Sequence, residues 1–241
     1  MFFNRIMLEE LKKELQESAN EKQAKILQRF FKTGKGEYGE GDIFLGIKSQ
    51  PIKDIAKKYS NLSLPKIQEL LKSKIHEHRV CAMRILNRKY KKANEEEKAN
   101  IFNFYLENKK NINNWDLVDL SAPGIVGHFL YDKKKNILYN LANSGNLWER
   151  RIAIVSTFHF ISKEEFQDTL AISEILLNDS HDLIHKAVGW MLREVGKRDE
   201  EVLEDFLKKH CKNMPRTMLR YAVEKFDEEK RKEYLNRKAR H

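Results

Sequence analysis

Cysteine, proline and glycine are all scarce in this 241-residue chain, at 2, 4 and 10 residues. Cys81 and Cys211 lie far apart in sequence, with no CxxC or Cys/His spacing around either. That excludes a disulfide framework and the common zinc motifs, and it reads as two buried thiols in a reducing compartment. No stretch approaches the ~18 to 20 apolar residues of a membrane span. The opening Met1-Phe2-Phe3-Asn4-Arg5-Ile6 meets Glu9 and Glu10 before any long apolar core forms, which excludes a secretory signal. A cytoplasmic protein without membrane contact is expected. Sustained polar/apolar alternation is missing too, so half-buried strands are not expected.

Helical periodicity fills the space these absences leave. Ile6, Leu8, Leu11 and Leu15 make one apolar stripe, as do Ile67, Leu70 and Leu71, and then Ile172, Ile175 and Leu176. Pro51, Pro65, Pro123 and Pro215 each fit a first helical turn, where a missing N–H costs nothing. The fold class is therefore all-α. Basic-plus-apolar helices recur at Arg79–Met83, Arg150–Ile154, His185–Val188 and Arg216–Arg220, with uneven spacing near the range of helical-hairpin repeats. Such repeats stack into a solenoid. Residues 33–50 break the pattern and read as a flexible connecting loop; 227–241 reads as a last helix with a frayed end. Lys and Arg outnumber Asp and Glu by 46 to 36, a net charge of +10 with a pI near 9.4. That surplus suits a polyanionic partner, although much of it fits ordinary solvated surface.

Several motifs also have plainer readings. Gly34-Lys35-Gly36-Glu37-Tyr38-Gly39 matches G-x-G-x-x-G, but a helix precedes it and Glu37, Glu40 and Asp42 would repel a pyrophosphate, so no dinucleotide site is expected. His181 and His185 have helical metal spacing without an H-E-x-x-H partner, and His76 and His78 diverge on a helix, so no metal or other cofactor is expected. The run Lys133-Lys134-Lys135 reads as a helix start facing solvent. All three tryptophans stand beside charged residues. In a helix, Trp115 and Asp119 share one face, which sets a carboxylate between Val118 and Leu120 with an aromatic ring one turn before it. Asp119 also reads as a helix C-terminal residue, or as a buried partner of Arg151. Arg151 reads equally as an exposed partner of Glu149 or Glu194, and Trp190 as core. Gly189 costs its helix about 1 kcal/mol relative to Ala, and its presence beside Trp190 suits a helix lining a binding groove.

Taken together, Trp115-Asp116-Leu117-Val118-Asp119, Trp148-Glu149-Arg150-Arg151 and Lys186-Ala187-Val188-Gly189-Trp190-Met191-Leu192-Arg193-Glu194 resemble the bacterial alkylpurine DNA glycosylases of the AlkD type. Gly36 to Ile47 and Pro215 to Ala222 resemble the same family, so the likeness spans nearly the whole chain in order. It implies a single HEAT-like α-α superhelix over residues 1–241 that holds duplex DNA as a monomer. It also implies hydrolysis of the N-glycosidic bond of N3- and N7-alkylated purines, initiating base excision repair without flipping the lesion into a deep pocket. By the resemblance Asp119 is the catalytic carboxylate, Trp115 and Trp190 cradle the damaged nucleotide, and Arg151 binds phosphate. Asp182-Leu183 departs from members that carry aromatic residues there, which bears on substrate contacts. Two other readings stand beside it: a catalytically silent helical-repeat protein that binds distorted or branched DNA, and a protein–protein scaffold.

Overall fold

The structure, a computed structural model, describes residues 2–237; positions 238–241 of the expected frayed end lie outside the described residues. Its helices are α1 (Phe2–Glu17), α2 (Glu21–Phe30), α3 (Ser49–Lys58), α4 (Leu64–Leu71), α5 (His76–Lys92), α6 (Glu95–Glu107) and α7 (Trp115–Ala122). After a π turn at Pro123–Gly127 come α8 (His128–Leu130), α9 (Asn136–Ala142), α10 (Leu147–Ser156), α11 (Phe158–Ile161) and α12 (Gln167–Ile175). The chain continues through α13 (Asp182–Gly196), α14 (Glu200–His210), α15 (Arg216–Ala222) and α16 (Glu228–Arg237). Among the described residues no strand forms, only an isolated parallel bridge between Ile43 and Ile75. The all-α expectation holds. By contact density the chain divides into two compact units, Met1–Ser121 and Ala122–His241.

In the first unit α3 and α4 both pack on α5. They do so through Ile52, Ile55 and Ala56, and through Ile67, Leu70 and Leu71, the positions that helical period places on one face. Leu8, Leu11 and Leu15 of α1 are buried likewise, whereas Ile6 at the start of that stripe is 41 % exposed. The start of α5 is unusual. His76, Glu77, His78 and Arg79 are consecutive, polar and all buried, so each requires internal partners.

Residues 33–48 are not the flexible connection expected. The Glu77 carboxylate accepts backbone N–H bonds from Leu45 at 2.9 Å, Gly46 at 2.8 Å and Ile47 at 3.3 Å. The Ile43 N–H donates to the Lys74 carbonyl at 3.0 Å and the Asn20 N–H to that of Leu45 at 2.8 Å. Gly46 sits at φ +82°, and a Cβ there would lie 2.5 Å from Ala24 N. Only glycine allows both that conformation and that approach. The loop is tied to α2 and α5 along much of its length.

In the second unit α10 packs on α9 and α13, and α13 packs on α14 and α15, consecutive helices nesting as the repeat reading requires. Pro123 has no N–H to direct at the Asp119 carbonyl, and the helical turn widens to π at that point. The lysine run precedes α9 and is only partly solvent-facing. Lys133 lies 4.7 Å from the Phe129 ring centroid, while Lys135 lies 5.1 Å from that of Phe160 and 3.6 Å from Asp168. Cys81 and Cys211 are buried free thiols, as expected, and burial pushes Cys81 up to about 12.

Candidate functional site

The helix α7 begins at Trp115, and its start is prepared by Asn114, whose side-chain oxygen accepts the Trp115 N–H at 2.8 Å. Leu117, Val118 and Ala122 form its fully buried face. Trp115 and Asp119, four residues apart in the helix, are both half-buried on the opposite side. This realises the expected pairing of an indole with a carboxylate one turn on.

What fixes Trp115 was not visible in the sequence. Its ring stacks on Phe31 at 5.1 Å with a 7° interplanar angle and meets Phe30 edge-on at 6.0 Å. Phe31 in turn contacts Phe44 at 4.9 Å and His76 at 5.0 Å, while Phe44 stacks on His76 at 4.5 Å. Aromatic pairs of this kind add about 0.5–1.5 kcal/mol each beyond area burial, enough together to hold the indole in one orientation.

Under the rings lies a polar network. His76 Nε2 bonds the Asp116 carboxylate at 2.7 Å, and its Nδ1 lies 3.5 Å from Asp42. Arg79 donates to Asp42 at 2.6 Å and to the Ser73 carbonyl at 2.8 Å, and Asn114 donates to Asp42 at 3.4 Å. Burial by itself would push His76 down, but its bonds to Asp116 and Asp42 outweigh burial and raise it above its ordinary value. Burial likewise opposes ionisation of Asp42, and His76 and Arg79 outweigh it and lower that carboxyl. His76, whose protonated form the two carboxylates favour, therefore anchors the first turn of α7 through Asp116. Of the two carboxylates in Trp115-Asp116-Leu117-Val118-Asp119, Asp116 is turned inward to His76. Asp116 stands between Trp115 and Asp119 in the sequence, but nothing local indicates that its partner lies 40 residues earlier.

The remaining expected site residues lie in the second unit. Arg151 on α10 is 5 % exposed, and its NH1 donates to the Leu183 carbonyl at the start of α13 at 2.6 Å. Arg151 is therefore buried, where the ion-pair reading had it exposed. Its neighbour Arg150 binds Asp179 at 2.6 Å and the Ser144 carbonyl at 2.9 Å. Trp190 on α13 is half-buried, with its ring 5.8 Å from that of Phe158.

Gly189 requires a correction. A Cβ there would lie 2.5 Å from both the Met218 carbonyl oxygen and the Tyr221 Cβ, so the close approach is made by α15 and not by a ligand. The glycine gives no support to a groove beside Trp190. The histidine pair on α13 is also engaged by backbone. His181 Nδ1 accepts the Leu183 N–H at 3.1 Å, and His185 donates to the Asp179 carbonyl at 2.5 Å. Among the described residues no group of three metal-ligating side chains gathers.

Comparison with known proteins bears on this arrangement as a whole. The family model described as DNA alkylation repair enzyme matches residues 11–226, most of the chain. Among curated proteins none matches the sequence. A solved structure titled "Predicted DNA alkylation repair enzyme from Enterococcus faecalis" superposes with a TM-score of 0.67 at 16 % identity, covering 88 % of this chain and 98 % of that one. At that identity the likeness shows a common helical-repeat fold and no more. With the family match running through α7, α10 and α13 alike, the chain belongs to the DNA alkylation repair enzyme family.

Proposed function

We propose that this protein is a DNA glycosylase that hydrolyses the N-glycosidic bond of N3- and N7-alkylated purines in duplex DNA. The reading rests on one observation above all: α7 holds Trp115 and Asp119 on a single half-buried face, with Trp115 braced by Phe31 and Asp116 drawn away to His76. The family supplies the context of alkylation repair and a DNA substrate.

A purine alkylated at N7 or N3 is already cationic, so it leaves as a neutral base when it takes the electrons of the C1′–N bond. The enzyme's task is to stabilise the oxocarbenium-like sugar and to direct a water oxygen to C1′, with the water proton released to solvent. Asp119 can serve both needs, since a partly desolvated carboxylate acts far more strongly on a developing cation than one in bulk water. An indole face attracts such a cation by about 0.5–2 kcal/mol, the role proposed for Trp115 and for Trp190. Arg151 is proposed to hold a DNA phosphate, its guanidinium oriented by the Leu183 carbonyl. No second catalytic carboxylate is needed, and neutral damaged bases should be poor substrates.

The test is base release from duplex DNA carrying N7-methylguanine, with Asp119→Asn as comparison. The variant should lose release by roughly 10²-fold or more while duplex binding persists, as when one preorganised electrostatic contact is removed. Equal turnover by both proteins would remove Asp119 from the mechanism. Binding without release by either would move the function to non-catalytic recognition of damaged or distorted DNA.

A further inference from the structure

Four arginines among the described residues are half-buried: Arg84 and Arg88 on α5, Arg150 on α10 and Arg193 on α13. Two of them are answered by carboxylates, Arg150 by Asp179 at 2.6 Å and Arg193 by Glu224. Arg84 and Arg88 are not. Among the described residues neither has a carboxylate within ion-pair distance. They stand four apart in one helix, so they share a face and repel each other. Burial above all pushes Arg84 below its ordinary value, against weaker upward pulls from Cys81 and Asp116 and with a small push from Arg88. Asp116 is itself bonded to His76. Half-buried cations that the protein leaves unanswered point to a counter-charge from outside it.

Their place in the fold says where that charge would come from. Asn87, next to Arg88, donates its side-chain amide to the Leu120 carbonyl at 3.0 Å, so this stretch of α5 lies against the end of α7 that carries Asp119. One terminal nitrogen of Arg84 donates to the Ser49 hydroxyl at 3.0 Å, which steadies the guanidinium. Its other terminal nitrogen has no partner among the described residues and, unlike its Nε, is open to solvent. The nitrogens of Arg88 are open and unbonded as well. Ser49, in accepting from Arg84, keeps its own proton to donate. Every group on offer is therefore a donor, and none asks for a proton in return.

We propose that Arg84, steadied by Ser49, and Arg88 bind neighbouring backbone phosphates of the duplex, beside the nucleotide addressed by Trp115 and Asp119. A phosphodiester is the matching ligand, since its two free oxygens share one negative charge and carry no proton. The unit that holds the proposed carboxylate thereby has a phosphate anchor of its own, besides Arg151 in the other unit. The inference rests on the proposed duplex substrate and not on the role of Asp119.

Salt dependence of duplex binding tests it, by fluorescence anisotropy of the full-length protein with a duplex holding a tetrahydrofuran abasic site. Arg84→Met removes the charge and keeps the stem. Its logarithmic slope should be shallower than that of the wild type by about 0.9, and that of the Arg84→Met/Arg88→Met variant by about 1.8. At 0.1 M salt the single variant should bind about eightfold more weakly, the factor that a slope of 0.9 gives between about 0.1 and 1 M. Arg84→Lys keeps the charge and should keep the slope. Arg88→Met alone, at a side chain that bonds nothing in the protein, should lose the same 0.9. Single methylphosphonates in the duplex remove one phosphate charge at a time, and at one position the substitution should weaken wild-type binding and leave Arg84→Met unaffected. Equal slopes for the wild type and folded Arg84→Met or Arg88→Met proteins would overturn the proposal, and so would a methylphosphonate scan that affects both proteins alike at every position. A wild type that does not bind the duplex would overturn it together with the duplex reading. Shallower slopes in the arginine variants, with turnover unchanged in Asp119→Asn, would uphold the anchor and remove the catalytic assignment alone.

Discussion

His76 and His78 lie two residues apart at the start of α5, both buried, and are driven in opposite directions. His76 faces two carboxylates and is raised. His78 has Ser73 Oγ at 3.0 Å as its partner, and burial, with help from the charges of Lys12 and Arg79, lowers it from 6.5 to about 4. The unfolded chain takes up the His78 proton near 6.5 and the folded chain only near 4, so this stability is complete above 6.5 and falls as pH drops through that window. The His76 contribution has the opposite sign: it is present below 6.5 and is lost as pH rises through the folded value. A shift as large as that of His78 corresponds to roughly 3 kcal/mol. Denaturant unfolding of the wild type between pH 6.5 and 4 should therefore lose about that much more stability than His78→Gln. Parallel curves for the two proteins would contradict the burial argument. Sequence inspection separated the two histidines only by their divergence on a helix; it could not assign one to carboxylates and the other to a hydroxyl, because Asp42 and Asp116 approach from distant segments.

At the scale of helices, the packing of α13 on α15 is set by a single missing methyl group. Gly189→Ala would gain about 1 kcal/mol of helix propensity. It would also drive a Cβ to 2.5 Å from the backbone of Met218 and the side chain of Tyr221, an overpacking strain of about 1–3 kcal/mol. The strain should win, so thermal melting should show net destabilisation. Gly145→Ala, with nothing within 4 Å of the new Cβ, should be close to neutral. A Gly189→Ala variant that melts no lower than wild type would show that α15 can retreat. The sequence marked Gly189 as a place of close approach and assigned the approach to a ligand. Which body comes near is decided by packing between segments, and a one-dimensional pattern does not contain it. Loop 33–48 teaches the same lesson, since its polar, glycine-rich composition reads as loose and Glu77 nevertheless gathers three of its N–H groups.

For the molecule as a whole, the net charge of +10 should express itself in the salt dependence of duplex binding. The logarithm of the binding constant should fall with the logarithm of salt concentration at about −0.9 per phosphate neutralised, and a slope steeper than about −4 is expected for a DNA groove. A flat response, measured by fluorescence anisotropy, would return the surplus lysines and arginines to ordinary solvated surface.

Two properties were settled by the chain itself. Its helices follow from apolar spacing at period 3.6 and from Pro51, Pro65 and Pro215 at helix starts, while Pro123 falls where α7 passes into the π turn; local backbone sterics and burial of one stripe need no knowledge of distant residues. Its family follows from short motifs in order, which survive as text. Tertiary structure alone decided which ionisable groups are desolvated and by what they are answered. Asn114 bonds Asp42 from 72 residues away, and His76 bonds Asp116 from 40. Partnering of buried polar groups is a matter of a few ångströms in space, and sequence separation does not encode that distance.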